Sequence, residues 1–479
     1  MKEGMETMNN YAMILAAGKG TRMKTKLPKC AFPILKKPMI EYLVESVEAS
    51  QIDETCVVVG HKREVIENLL AGRVSFAYQD KQLGTGHAAL AAKDALGDLE
   101  GTTLILLGDM PLIDEQLIDN ILTTHEKMGN DLTVMTTNYL DPTGYGRIIR
   151  DKYGKIESIV EDKECTEEQR NIQEVNTGIY AIDNQYLFKV LNKIKKSAYK
   201  NEYYLTDIVH IMRQDYQVGT YTIRDSQYVM GVNDLYAISI AERILRDKIN
   251  KAHMLNGVSM INPETITVGH NVRIEGNVTI YPNTTITGDS TIAEGSQIGP
   301  NTEIHNGVIH RTVKVKHSYV YDSVVHEHTT IGPFAHLRNN ANIGRDNKIG
   351  NFVEVKKSTT GANTKASHLA YIGDSTTGEN VNFGCGSITV NYDGKEKHET
   401  YIGDDVFIGC NTNLVAPISI GDSVFIAAGS TVTEDVPSGA LAIARNRQIN
   451  KNDYARNLVK PKTKDIHKSV ADKNDPKTS

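Results

Sequence analysis

The chain reads as an α/β Rossmann-like domain followed by a left-handed parallel β-helix of hexapeptide repeats. Two periodicities and the break between them predict this. Over residues 11–136, short β-branched runs alternate with amphipathic segments. Beyond residue 255, one aliphatic residue returns every six positions.

The first pattern starts with the apolar run Tyr11-Ala-Met-Ile-Leu15. Further runs at 56–59, 74–78, 103–107 and 131–135 are separated by segments at 39–49, 62–70, 85–96 and 114–128. In the first segment Ile40, Leu43, Val44 and Val47 fall on one helical face. Strand–helix alternation predicts a parallel sheet covered on both sides, with ligands at the carboxyl ends of its strands. The small-residue loop after Leu15 and Gly108-Asp109 after the run 103–107 both lie at such ends.

Residues 234–255 carry Leu235, Ile238, Ile244, Leu245 and Ile249 at helical spacing and predict a connecting helix. Val268, Ile274, Ile280, Ile286, Ile292, Ile298 and Ile304 then recur every six residues. The frame returns at Ile331, Leu337, Ile343, Ile349 and Val355, and again at Ile402, Ile408, Leu414, Ile420, Ile426 and Val432. Strands repeat every two residues and helices near 3.6, so a strict period of six marks a three-sided solenoid. Residues 305–330 and 356–401 break the frame and are expected to emerge as loops. The expected boundaries are 1–233, linker helix 234–255, solenoid 256–450 and a polar tail 451–479 that ends in disorder.

Composition narrows the function classes. A net charge of −6 leaves no basic footprint for nucleic acid. No apolar stretch approaches a membrane span, and the first ten residues lack the apolar core of a secretory signal. Five scattered cysteines without a C-x-x-C pair point to reduced thiols, a cytoplasmic setting and no zinc site.

The loop Ala16-Ala17-Gly18-Lys19-Gly20-Thr21 is followed by Arg22, Lys24, Lys26 and Lys29. Bare backbone and positive charge at a strand end suit phosphate. A dinucleotide fingerprint fails because Met23 stands where a third glycine belongs, and a Walker loop fails because Lys19 sits between the glycines. Five histidines (His305, His310, His317, His326 and His328) crowd the first frame break. His326 and His328 would share a face on a strand. With no further ligand evident, solvated loop histidines are the expected reading.

L-A-A-G-K-G-T-R-M…L-P-K at 15–29, Q-L-G-T-G-H-A at 82–88 and G-D-M-P-L at 108–112 together resemble the signature of sugar-phosphate nucleotidyltransferases. A hexapeptide solenoid carrying S-H-L-A-Y-I-G-D (367–374) and N-Y-D-G (391–394) narrows the resemblance. It points to the bacterial N-acetylglucosamine-1-phosphate uridylyltransferase/glucosamine-1-phosphate N-acetyltransferase family and covers residues 11 to about 455. The competing reading is a single-activity nucleotidyltransferase whose solenoid only oligomerises.

The resemblance implies uridylyl transfer from UTP with Mg²⁺, giving UDP-N-acetylglucosamine and pyrophosphate. Leu15, Ala16, Ala17 and Gly18 would line the nucleotide, and Gln79, Gly84 and Thr85 would read the uracil edge. Gly146, Glu161 and Asn176 would hold the sugar. Arg22 and Lys29 would neutralise phosphate charge, and Asp109 with Asn233 would hold the metal. Leu107 and Cys30-Ala31-Phe32 depart from the residues familiar at those positions.

It also implies acetyl transfer from acetyl-CoA to glucosamine 1-phosphate. A sugar ammonium cannot attack a thioester, so a base that titrates near neutrality is needed, and His368 is the candidate. Tyr371 and Asn382 would bind the acceptor sugar; Arg338, Lys356 and Lys397 would meet its phosphate. Cys385, Asn391, Tyr392, Cys410, Ala428 and Arg445 occupy the positions matching the CoA groove. No acyl-enzyme is implied, and a homotrimer is, because a neighbour completes that groove.

Overall fold

The computed structural model describes residues 9–197, 199 and 201–458. The central sheet runs in the order 218–223, 132–138, 174–183, 102–107, 10–15, 54–59 and 75–78. Strand Asn10–Leu15 is parallel to both neighbours, Glu54–Val59 and Thr102–Leu107. Alternate side chains of this strand enter different cores. Tyr11, Met13 and Leu15 join one apolar cluster, while Ala12 and Ile14 join the other. Both faces are therefore covered, as the near-continuous apolar runs require. The sheet is not purely parallel. Glu174–Asp183 runs antiparallel to Thr102–Leu107 and to Leu132–Asn138, and it anchors the hairpin Arg147–Arg150/Ile156–Val160. That strand lies beyond the alternation read over 11–136.

The segment 39–49 forms the helix Met39–Glu48, with Ile40, Leu43, Val44 and Val47 buried. Segment 114–128 is the helix Glu115–Met128, whose N-cap Asp114 accepts from the Leu117 amide. Segment 85–96 is two short helices, Thr85–Leu90 and Lys93–Leu96, rather than one.

The connecting helix spans Leu235–Leu255, capped by Asp234. Ile238, Ala241 and Leu245 pack against Met23, Ile34, Met39 and Leu112 of the α/β domain, while Leu235 is exposed. The buried Asn250 donates to the carbonyls of Pro263 and Ile266, both at 2.9 Å, fixing the helix to the first coil. His270 of that coil meets Glu45 at 2.9 Å and stacks edge-on against Tyr42. The two domains are thus joined by packed side chains as well as by the helix.

The solenoid is a parallel β-helix. Val268 pairs with Ile286 and Ile286 with Ile304, eighteen residues per coil. The stacked aliphatic residues form one continuous core from Val258 to Val436. Corner residues take left-handed backbone angles, as at Asn283, Asn301, Asp322, Asn363 and Asp405. Asn and Asp tolerate that region best among residues with a side chain, which explains their recurrence between the aliphatics.

The first frame break is not an excursion. Strands Val308–Ile309, Lys314–Val315, Tyr319–Tyr321 and Val324–Val325 continue the stack, with Ile309, Val315, Val320 and Val325 buried. Ile304 pairs with Val320 and Val320 with Leu337, so these coils take sixteen and seventeen residues. Sides of five residues replace some of the sides of six, and the frame slips without leaving the solenoid. His326 and His328 share no strand face, because the strand ends at Val325 and His328 sits at a left-handed corner.

Most of the second break is also coil. Strand Lys365–Gly373 stacks on Lys348–Lys356, and a true insertion remains only where Thr389 pairs with Leu414, twenty-five residues on. The tail is described to residue 458 and includes the short 3-10 turn Tyr454–Asn457; its expected disorder falls outside the described residues. Among the described residues no helix is long and apolar enough to cross a membrane.

Candidate functional sites

Leu15 and Leu107 are register partners, and the Gly108 amide donates to the Leu15 carbonyl at 3.0 Å. Pairing of two strand ends therefore sets Asp109 beside the loop 16–20. Gly20 has φ +59°, and a Cβ there would lie 2.6 Å from Lys29 Cβ. This glycine lets the Lys29 side chain pass into the strand-end cleft.

Lys29 Nζ forms an ion pair with Asp109 Oδ2 and donates to Asn233 Oδ1 at 2.6 Å. Arg22 donates to the same Asn233 oxygen at 2.6 Å. Asn233 is held at this point because the Val232 amide bonds the Asp109 carbonyl at 2.9 Å. Four residues separated by up to 211 positions thus converge. Two oxygens, one of them anionic, hold a single ammonium between them. A hard-oxygen pair of this kind also fits Mg²⁺.

A cavity of about 420 Å³ opens beside this group. Ten of the residues expected from sequence line it: Leu15 to Gly18, Lys29, Gln79, Gly84, Thr85, Asp109 and Glu161. The Gln79 amide donates to the Gly84 carbonyl at 3.1 Å and lies 3.0 Å from His87 Nδ1. Glu161 accepts from Thr206 Oγ1 at 3.2 Å. Gly146 and Asn176 lie off the lining; the Gly146 carbonyl accepts from the Asn176 amide at 2.8 Å, and the Asn176 side chain bonds the Tyr180 hydroxyl at 2.7 Å.

Cys30 also lines the cavity, and burial, reinforced by the Asp109 charge, pushes its thiol up to about 12. The thiol stays protonated and is a poor nucleophile. Chemistry here rests on charge and position.

The second group lies on the solenoid. His368 and Tyr371 sit on Lys365–Gly373, opposite Asn351 and Glu354 of Lys348–Lys356. His368 Nδ1 is 2.9 Å from Asn351 Oδ1. An amide oxygen only accepts, so Nδ1 carries the proton and Nε2 is the basic nitrogen. Arg338 and Lys356 are register partners on adjacent coils, and Arg338 also pairs with Glu354 at 2.6 Å.

The insertion brings a third cation to them. Its hairpin closes through the Tyr392–Lys397 bridge and is built around Asp393, which accepts from the Lys395 and Glu396 amides at 2.7 Å and from His398 at 2.8 Å. These bonds hold the Asp393 carboxyl well below the usual carboxylate range. Lys397 is held below the ordinary lysine value by the close approach of Lys356 and its charge. Crowded cations of this kind suit a phosphate dianion.

Asn391 is buried, its amide donating to Asp374 at 2.5 Å, so its side chain anchors the hairpin. Asn382 pairs with Lys365 on the preceding coil. Cys385, Cys410 and Ala428 mark one solenoid corner on successive coils. The Asn411 amide bonds the Cys385 carbonyl, and the Gly429 amide bonds the Cys410 carbonyl, both at 2.8 Å. Arg445 lies beside Gly429. Cys385, Cys410 and Tyr392 are exposed.

Comparison with known proteins follows the same division. Residues 11–235 match the Nucleotidyl transferase family model, and residues 271–306, 322–357 and 399–434 match the Bacterial transferase hexapeptide (six repeats) model. The bifunctional protein GlmU of Acholeplasma laidlawii is 61% identical over 457 residues, which is 95% of this chain and 99% of that one. The chain belongs to the GlmU family. GlmU proteins of Halalkalibacterium halodurans and Listeria welshimeri are 48% and 45% identical, covering 93% and 94% of this chain and 98% of each relative. The solenoid is accordingly of the left-handed hexapeptide class.

Within this GlmU-family fold, sequence reasoning missed Gln82, Glu202, Tyr204 and Asn351. The first three line the cavity. Gln82 stood inside a motif already singled out. Glu202 and Tyr204 arrive because Tyr203 bonds the backbone of Leu83 and Gly86 at 2.8 and 2.9 Å, an approach with no local signal. The signal for Asn351 is its place one coil, seventeen residues, before His368.

Proposed function

We propose that this bifunctional enzyme acetylates glucosamine 1-phosphate on the solenoid and then joins the product to UMP in the α/β domain, releasing UDP-N-acetylglucosamine. The observation that carries this is a pair of separate cation clusters on one chain. Arg22 and Lys29 meet Asp109 and Asn233 at the strand ends, while Arg338, Lys356 and Lys397 stand on the solenoid strands and hairpin that also carry His368.

In acetyl transfer, the three cations hold the sugar phosphate. Tyr371 and Asn382 orient the sugar, and His368 Nε2 takes a proton from the amine as its nitrogen attacks the thioester carbonyl. The C–S bond breaks and CoA leaves as its thiol, its sulfur taking the proton that His368 accepted. The corner marked by Cys385, Cys410, Ala428 and Arg445, with Asn391 and Tyr392 of the hairpin, takes CoA, and a neighbouring subunit of a homotrimer closes the groove.

In uridylyl transfer, an oxygen of N-acetylglucosamine 1-phosphate attacks the α-phosphorus of UTP and the bond to pyrophosphate breaks. The cavity lining holds the nucleotide. Gly146, Glu161 and Asn176 hold the sugar, and Arg22 and Lys29 stabilise charge on the phosphates. Asp109 and Asn233 would hold Mg²⁺, which neutralises triphosphate charge when bound. The partners are small molecules, and the setting is the cytoplasm.

A coupled assay tests this. Protein receives glucosamine 1-phosphate, acetyl-CoA, UTP and Mg²⁺, with each omitted in turn, and products are read by mass. UDP-N-acetylglucosamine, free CoA and pyrophosphate together only in the complete mixture support the reading. Product only from pre-acetylated sugar phosphate would leave the solenoid as a scaffold.

A further inference from the structure

Three side chains on the shortened coils belong to neither site. His310 follows the strand Val308–Ile309, while His326 and Glu327 follow Val324–Val325, which pairs with it residue for residue. The His310 and His326 rings stack with centroids 4.6 Å apart and planes 18° from parallel. Glu327 reaches back to His310 Nδ1 at 3.3 Å. One ligand atom from each of the three lies within 4.8 Å of the other two, and all three residues are half-buried.

The surroundings prepare these groups to bind a cation. His326 Nε2 is 3.0 Å from Asn342 Oδ1, one coil further on. The amide oxygen accepts, so Nε2 carries the proton and the Nδ1 lone pair is left for a ligand bond. A second-sphere partner that fixes an imidazole tautomer is a usual support of metal-binding histidines. Two imidazoles and a carboxylate form a borderline donor set, suited to Zn²⁺, Ni²⁺ or Co²⁺ rather than to Mg²⁺.

We propose that His310, His326 and Glu327 bind a divalent transition-metal ion that clips two successive coils of the solenoid. Water completes the coordination. The clip falls where the coils shorten to sixteen and seventeen residues and the regular hexapeptide frame is interrupted. A ligand that binds only the folded chain raises its stability by mass action.

The test uses tag-free, chelator-treated full-length protein with excess Mg²⁺ present. Co²⁺ is the probe, because its visible spectrum separates imidazole–carboxylate ligation from thiolate ligation at the exposed cysteines. The expected result is one Co²⁺ per chain without a sulfur charge-transfer band, and a higher melting temperature with metal. Glu327→Gln and His310→Asn should each weaken binding by about tenfold or more and abolish the melting shift, and Asn342→Ala should weaken it less. Should His310→Asn fold poorly, Glu327→Gln and Asn342→Ala decide. Absence of Co²⁺ binding, a thiolate spectrum, or equal binding in wild type and Glu327→Gln would overturn the proposal.

Discussion

His368 Nδ1 and Asn351 Oδ1 meet at 2.9 Å across one coil of the solenoid, on strand positions that are register partners. The contact selects the tautomer that leaves Nε2 basic, and it fixes the ring's orientation. Asn351→Ala should lower kcat for acetyl transfer by about tenfold, or roughly 1.4 kcal/mol, with little change in KM. Asn351→Asp places an anion on the imidazole, favours its protonated form and should move the acid limb of the kcat/KM profile to higher pH. Steady-state kinetics across pH check both; an unchanged profile in Asn351→Asp would show that the contact does not tune the base.

Gly84 has φ +112°, and a Cβ there would lie 2.4 Å from the Tyr203 carbonyl oxygen. Gly84→Ala must therefore displace the segment that carries Glu202 and Tyr204 into the cavity. Uridylyl transfer should fall by about a hundredfold, the scale of an ångström misplacement, while acetyl transfer persists. Separate assays of the two half-reactions on the purified variant check this.

His125 is buried behind the sheet with Nδ1 3.0 Å from Thr133 Oγ1, and burial holds its pKa below 6.5. The unfolded chain then binds the proton more readily. Stability is fully present above about pH 6.5 and falls as pH drops toward the folded value, by at most about 1.4 kcal/mol per pH unit from this group. His253, His270 and His336 are depressed by burial as well, so the comparison of His125→Gln with wild type isolates one share. Urea unfolding of the α/β domain above and below pH 6.5 should show a shallower acid decline in the variant.

Sequence displayed what repeats or what carries a local motif. The regular coils were legible because each inward aliphatic stands six residues from the next. Ile309, Val315, Val320 and Val325 were hidden because five-residue sides slip the frame, and the coils around them looked like a loop. The antiparallel strand Glu174–Asp183 was hidden for a different reason: its direction is set by a connection, not by its composition. Lys29 and Asp109 were legible through their motifs and the strand ends they follow. Glu202 and Asn351 were not, since tertiary approach and coil stacking bring them to their sites.

Independence of the two proposed sites on one chain is read from one paired measurement. Both half-reactions are assayed on His368→Ala and Lys29→Ala in the same buffer. His368→Ala should lose CoA release by about 10²- to 10⁴-fold and keep near wild-type uridylyl transfer, with the reciprocal result for Lys29→Ala. Parallel loss of both activities in either variant would contradict it.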